Sequence, residues 1–176
     1  LATLVARRIL RRGTAREIEG VVLAFATPFV YAVVVWIIFD RVLMVGPSHY
    51  VPFTGLSLPG VDALETPLGD VAVDNAGVAE LLADPIVHDS AEAHRREHSL
   101  EVQLPFLQVV APGIPVIPVL TGAVDPELAA EAIAPLLDDG TLLLISSDLS
   151  HYHGAATARR LDSATAGAIE RLDAEG

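Results

Sequence analysis

Thr141-Leu142-Leu143-Leu144-Ile145-Ser146-Ser147-Asp148-Leu149-Ser150-His151-Tyr152-His153 is the stretch whose reading decides the fold. Its first five residues form an apolar run short enough for a buried strand. The strand ends in small polar residues and then presents Asp148 and His151. In α/β proteins such strand ends display chemistry, because ligands bind outside the carboxyl ends of parallel strands. A carboxylate can accept hydrogen bonds or hold a cation, and an imidazole can pass a proton or bind a metal.

A second stretch repeats the pattern. Arg41-Val42-Leu43-Met44-Val45 runs into Gly46-Pro47-Ser48-His49-Tyr50. If the two strands lie parallel in one sheet, both leave it at the same edge.

Outward from these strands, apolar runs alternate with helical patterns. Asp74 to Ala83 reads as a helix capped by Asp74 or Asn75. Glu97 to Val110 places Leu100, Leu104 and Leu107 at helical spacing, with Pro105 expected to kink or stop it. Ile114 to Leu120 reads as a strand, and Asp125-Pro126-Glu127 opens a helix reaching about Leu137. Ala155 to Leu172 is the final helix. The expectation is an α/β fold with a mainly parallel central sheet flanked by helices. The Pro/Gly-rich stretch through Pro52, Gly55, Pro59 and Gly60 reads as a loop, as does the polar stretch 84–96 that holds His88 and His94.

The N-terminal part differs in character. Residues 1–19 carry five Arg and two Glu and read as a helix with an Arg-rich face. Val21 to Phe39 contains no charge. Such a segment behind a basic flank matches a signal anchor or membrane span. The alternative is a buried helix or a strand pair broken near Pro28. Residues 1–39 are therefore set apart as an atypical segment, and 40–176 as the α/β domain.

Composition narrows the function. The chain of 176 residues is long enough for one domain with a real core. It is 52% hydrophobic and only 5% aromatic, so aliphatic packing dominates. A net charge of −12 with no lysine argues against a nucleic-acid partner, which needs a basic face. The absence of cysteine removes disulfides, thiolate ligands and a Cys nucleophile.

Each candidate residue has a structural competitor. His49 is held in direction by Gly46 and Pro47, yet a loop histidine can simply bond its neighbours. Asp148 and His151, three apart, can converge on one ion or substrate atom, while Asp148 can equally cap the next helix. His153 points elsewhere in either geometry. Glu97 and His98 are two further candidates, set against a capped helix start at Ser99. Two histidines and a carboxylate suit non-haem iron or zinc, although His49 and His151 lie about a hundred residues apart.

Taken in order, five motifs resemble the Memo family, whose prokaryotic members are called AmmeMemoRadiSam system protein B. They are Val45-Gly46-Pro47-Ser48-His49, Leu64-Glu65-Thr66-Pro67-Leu68-Gly69, Glu97-His98-Ser99-Leu100-Glu101-Val102-Gln103-Leu104-Pro105-Phe106, Ile117-Pro118-Val119-Leu120, and Ser146-Ser147-Asp148-Leu149-Ser150-His151. The resemblance covers about 40–176. It implies a fold like that of class III extradiol (LigB-type) dioxygenases, with iron or another transition metal in a cleft at the sheet edge. In the family, a His from a Pro-His-Ala-Gly-Tyr motif, the His of Gly-Pro-Ser-His and a later Cys line the metal site. His49 matches the second of these as metal ligand. Asp148 and His151 match the neighbouring acid/base pair and stand as catalytic candidates.

This chain departs from the pattern: residues 1–39 contain no His and the chain no Cys. Two of the three family ligands are thus absent, and the domain is expected to be incomplete at both ends. A metal-dependent, dioxygenase-like oxidoreductase is the leading reading. A non-catalytic module that binds a peptide or small molecule in the same cleft is the alternative. A membrane-anchored protein and a metal-dependent hydrolase using Asp148 and His151 follow. The expected compartment is the cytoplasm, with an anchor through 21–39 as the alternative.

Overall fold

The computed structural model describes residues 39–171. The expectations for 1–38, the Arg-rich helix and most of the apolar run, lie outside the described residues. The chain divides into two compact units at Ser146/Ser147. Each is described by itself.

The larger unit is built on a five-stranded sheet. Its strands are β1 (Arg41–Pro47), β2 (Leu56–Leu58), β5 (Val87–Asp89), β6 (Val116–Thr121) and β7 (Thr141–Ile145), in the order β5-β2-β6-β1-β7. β1 runs parallel to both β6 and β7, and β2 is parallel to β5 but antiparallel to β6. The sheet is thus mainly parallel, as the alternating pattern predicts. A separate antiparallel hairpin pairs β3 (Ala63–Thr66) with β4 (Gly69–Ala72).

Period-2 alternation sorts the strand residues onto two faces. Leu43, Leu56, Leu58, Ile117 and Val119 form one buried cluster with Leu81, Ala132 and Leu136. Those last three come from α1 (Asn75–Leu81), α4 (Pro126–Ile133) and the 3-10 turn Ala134–Leu136. Asp74 caps α1 by accepting the amides of Ala76 and Gly77, and Asp125 caps α4 through the amide of Glu127. Both caps are those the residue types predict.

The opposite face carries Gly46, Ser57, Pro118 and Leu120. It is covered by the 3-10 turn Glu101–Gln103 and by α3 (Leu104–Val110), whose Leu104 and Leu107 are buried. Pro118 sits inside a central strand, where a missing amide normally breaks a ladder. The amides of Val42 on β1 and of Ser48 just after it bond the carbonyls of Pro115, just before β6, and Thr121, so the amides and carbonyls of the odd positions of β6 face β1. Pro118 faces the other side, where β2 is paired only with Leu120 and Thr121.

Several expectations need correction. The helix over 97–110 starts later, because Glu97 turns its carboxylate back onto nearby amides. Pro105 stands in the first turn of α3, where its missing amide is harmless, so it opens the helix instead of kinking it. The supposed loops hold β2, β5 and α2 (Ala91–Arg95), and the hairpin occupies a stretch to which the sequence reading assigns no element. Strands of three or four residues carry too little periodicity to be read from sequence.

The smaller unit, within the described residues, consists of the loop 147–154 and α5 (Ala155–Arg171). Tyr152 adopts φ 60°, a left-handed conformation rare for a bulky residue, as the chain turns towards α5. No helix among the described residues is long and apolar enough to cross a membrane.

Candidate functional site

Val45 and Ile145 are register partners, and the Ser146 amide donates to the Val45 carbonyl at 2.8 Å. The two motif-bearing strands therefore end together at one edge of the sheet. This is the placement their sequences predict.

At that edge the Gly46-Pro47-Ser48-His49 turn meets the loop 97–100. Gly46 is what permits the approach: a Cβ there would lie 2.8 Å from Leu100 Cδ2 and 3.0 Å from Ser99 Oγ. Ser99 Oγ donates to the Pro47 carbonyl at 2.8 Å, and Ser146 Oγ donates to the Ser99 carbonyl at 2.7 Å. Three segments distant in sequence are thus stitched together by short polar side chains.

Glu97 is the centre of this arrangement. Its side chain is only 2% exposed. Oε2 accepts the His49 amide at 2.5 Å, and Oε1 accepts from His49 Nδ1 at 2.8 Å. Oε1 also accepts the amides of His98 and Ser99, both at 2.9 Å. Burial alone pushes the carboxyl up. The His49 amide, the His49 ring and the amides of Ser99 and His98 together outweigh it and hold the pKa at about 2. Glu97 is thus a buried anion at any ordinary pH.

The consequence for His49 is a fixed tautomer. With Nδ1–H given to a carboxylate, Nε2 becomes the ring atom suited to a metal or an acceptor role. His98 stacks on this ring, centroids 5.2 Å apart. Tyr50 lies 5.8 Å from the His98 ring and carries Arg96 5.4 Å from its own centroid.

Ligand atoms of His49, Glu97 and His98 lie within 4.8 Å of one another, a group able to hold a metal. The donor types suit a transition metal. The hydrogen bonds sort their roles, however. Oε1 of Glu97 already accepts three donors, which fits a carboxylate orienting a histidine ligand better than one binding the metal directly.

Asp148 and His151 belong to the smaller unit. His151 Nε2 lies 3.6 Å from Asp148 Oδ2, and both side chains are exposed. That separation is beyond a hydrogen bond but within charge interaction. Asp162 of α5 accepts the Ser150 amide at 2.9 Å. That bond, followed by the charges of His153 and His151, lowers the Asp162 pKa. His153 therefore shares an electrostatic neighbour with His151, although the two were expected to point apart.

His94, assigned by sequence to a solvated loop, is half-buried on α2, with Nε2 3.0 Å from the Ser57 carbonyl. His88 lies on β5 with its ring edge-on to Phe53. The Glu97–His49 pair went unread as a unit. The only sequence signal was an acid followed directly by a histidine ahead of an apolar helix.

In α/β sheets ligands bind outside the carboxyl ends of parallel strands, and in this chain His49, held by a buried carboxylate, stands beyond the end of β1. The model of the family described as Memo-like protein matches residues 26–176, and the chain belongs to that family. It is 38% identical over 145 residues to a MEMO1 family protein of Aquifex aeolicus, covering 77% of this chain and 53% of the relative. It is also 38% identical over 143 residues to one from Archaeoglobus fulgidus, with 76% and 53% coverage. A third, from Thermotoga maritima, is 38% identical over 142 residues, with 75% and 50% coverage. The chain spans about half the length of these curated relatives.

Proposed function

We propose that this chain is part of a metal-dependent, Memo-like oxidoreductase on a dioxygenase-like scaffold, with His49 as a metal ligand. The observation that carries the reading is the grip of Glu97 on both the amide and Nδ1 of His49. A buried carboxylate bonded to the far nitrogen of an imidazole is the usual support of a metal-binding histidine. His98, stacked beside His49, is the second imidazole within reach. Iron or another transition metal, when bound, supplies Lewis acidity and access to redox chemistry.

The residues of the chain then have separate tasks. Glu97 orients His49 by holding its amide and its Nδ1. Ser99, Ser146 and Gly46 hold the two loops at their close spacing. His151, with Asp148 3.6 Å away, carries a proton to or from substrate.

Elemental analysis of the purified full chain and of His49→Ala tests this reading. A stoichiometric transition metal that is lost in His49→Ala is the expected result. No metal in either protein overturns it. For the proton role, His151→Ala should fold normally and lose turnover; an unchanged rate removes His151 from the mechanism.

A further inference from the structure

Ser99 commits all three of its polar groups. Its amide donates to Glu97 Oε1 at 2.9 Å, its hydroxyl donates to the Pro47 carbonyl at 2.8 Å, and its carbonyl accepts from Ser146 Oγ at 2.7 Å. The residue is buried, so water does not compete for these bonds.

Ser146 is the fixed end of this series. It follows directly on β7, and its amide continues the ladder by donating to the Val45 carbonyl at 2.8 Å. Its hydroxyl proton is given to Ser99, and the Gln103 side-chain amide approaches the same oxygen as a donor at 3.4 Å. Donor and acceptor sides of the hydroxyl are both used, which sets its direction.

The segment it holds lies outside helix and strand, since residues 96–100 run between α2 and the 3-10 turn. The Gly46–His49 turn is fastened on the opposite flank, where the Ser48 amide donates to the Thr121 carbonyl of β6 at 3.1 Å. Glu97 bridges the two segments with a side chain of several free rotations. Its two contacts with His49 therefore need both backbones in a fixed register.

From these bonds we infer that Ser146 is a positioning residue for His49, acting through Ser99. By holding the Ser99 carbonyl, Ser146 fixes where the Glu97 carboxylate starts and how closely the Pro47 carbonyl is drawn to it. The first serine of the Ser146-Ser147-Asp148 motif thus serves the histidine that follows the neighbouring strand. This role deepens the reading of His49 as a metal ligand and rests on it, while the hold on the ring is a property of the metal-free chain.

The test uses the full chain with Ser146→Ala, Ser99→Ala and Ser146→Thr. The last keeps the hydroxyl at a strand end, where a β-branched residue is accepted. In chelator-treated protein, NMR measures how fast the His49 Nδ1–H proton exchanges with water. Cobalt(II) titration, followed by visible absorption, then measures metal affinity. Ser146→Ala should speed the exchange by about fivefold, the value of one hydrogen bond, and weaken cobalt by a similar factor. Ser99→Ala should do the same, and Ser146→Thr should restore the parent values. The Leu43 amide, in the middle of β1, should keep its parent rate, because the loosening is local. A general loss of stability would speed Leu43 as well, which sets positioning apart from a merely structural role. Unchanged His49 exchange in a folded Ser146→Ala overturns the proposal. So does equal acceleration at Leu43, or a cobalt affinity equal to that of a metal-binding parent. A parent chain that binds no cobalt removes the metal reading; faster His49 exchange in Ser146→Ala still upholds the hold of Ser146 on the ring.

Discussion

The carboxylate of Glu97 holds His49 at two points, its backbone amide at 2.5 Å and its Nδ1 at 2.8 Å, across 48 residues of sequence. One buried anion thereby fixes both the path of the Gly46–His49 turn and the rotation of the imidazole. Charge-assisted hydrogen bonds of this kind are among the stronger ones in proteins.

Removing that carboxylate leaves the amides of His49, His98 and Ser99 and the ring Nδ1 without their acceptor. Glu97→Ala is expected to lower stability by about 3 kcal/mol. Urea denaturation measures this directly, and a loss below about 1 kcal/mol would show that water replaces the carboxylate at little cost.

The same group sets an acid limit. Its pKa is about 2 in the folded chain against a usual 4.5. A folded pKa depressed in this way means that the stabilisation is complete above 4.5. It is then lost as pH falls from 4.5 towards 2, because the unfolded chain takes up the proton first. The shift corresponds to a contribution on the order of 3 kcal/mol. Urea midpoints between pH 5.5 and 2.5 should fall steeply in the parent protein and less so in Glu97→Gln; parallel curves would refute the assignment.

His94 works in a higher window. Burial lowers its pKa below 6.5, against the opposing pulls of the Ser57 carbonyl and of Glu97 and Asp89. The unfolded chain again binds the proton first, so this contribution is full above 6.5 and declines as pH falls below it. An NMR titration of the His94 ring should give a midpoint under 6.5. A midpoint at or above that value would mean the ring is solvated and charged.

Arg41 ties the start of β1 to two other segments. Nε donates to Thr141 Oγ1 at 2.8 Å, Nη1 to Asp74 at 3.3 Å and Nη2 to Asp138 at 3.0 Å. Asp74 is also the cap of α1. Arg41→Ala should cost about 2 kcal/mol, and Arg41→Lys most of that, since an ammonium cannot match the planar fork. Thermal unfolding of the two variants checks this; a lysine variant as stable as the parent would reduce the network to a single surface ion pair.

The strands at 41–45 and 141–145, the Asp74 and Asp125 caps, the final helix and the candidate His49 were all legible in the amino-acid order. Each rests on local chemistry: a continuous apolar run, an Asp before a helix, a Pro in a first turn, a His behind Gly-Pro. A family resemblance carried by five ordered motifs was legible for the same reason, since motif order needs no folding to be read.

Other features depended on residues far apart in the chain. β2 and β5 are three residues each and exist because β6 and each other supply their hydrogen bonds. Pro118 is tolerated in a central strand because its missing amide faces a gap, between the bridge of Val116 to Val73 and the pairing of Leu120 with β2. Glu97 looked like an acid at a helix start, and became the anchor of His49 when the turn after β1 was brought against it. Local propensity therefore determined which segments would be strands and helices, and which side chains were equipped for chemistry. Only the tertiary structure decided which of those side chains meet, because hydrogen bonds across 48 residues arise from packing and not from sequence period.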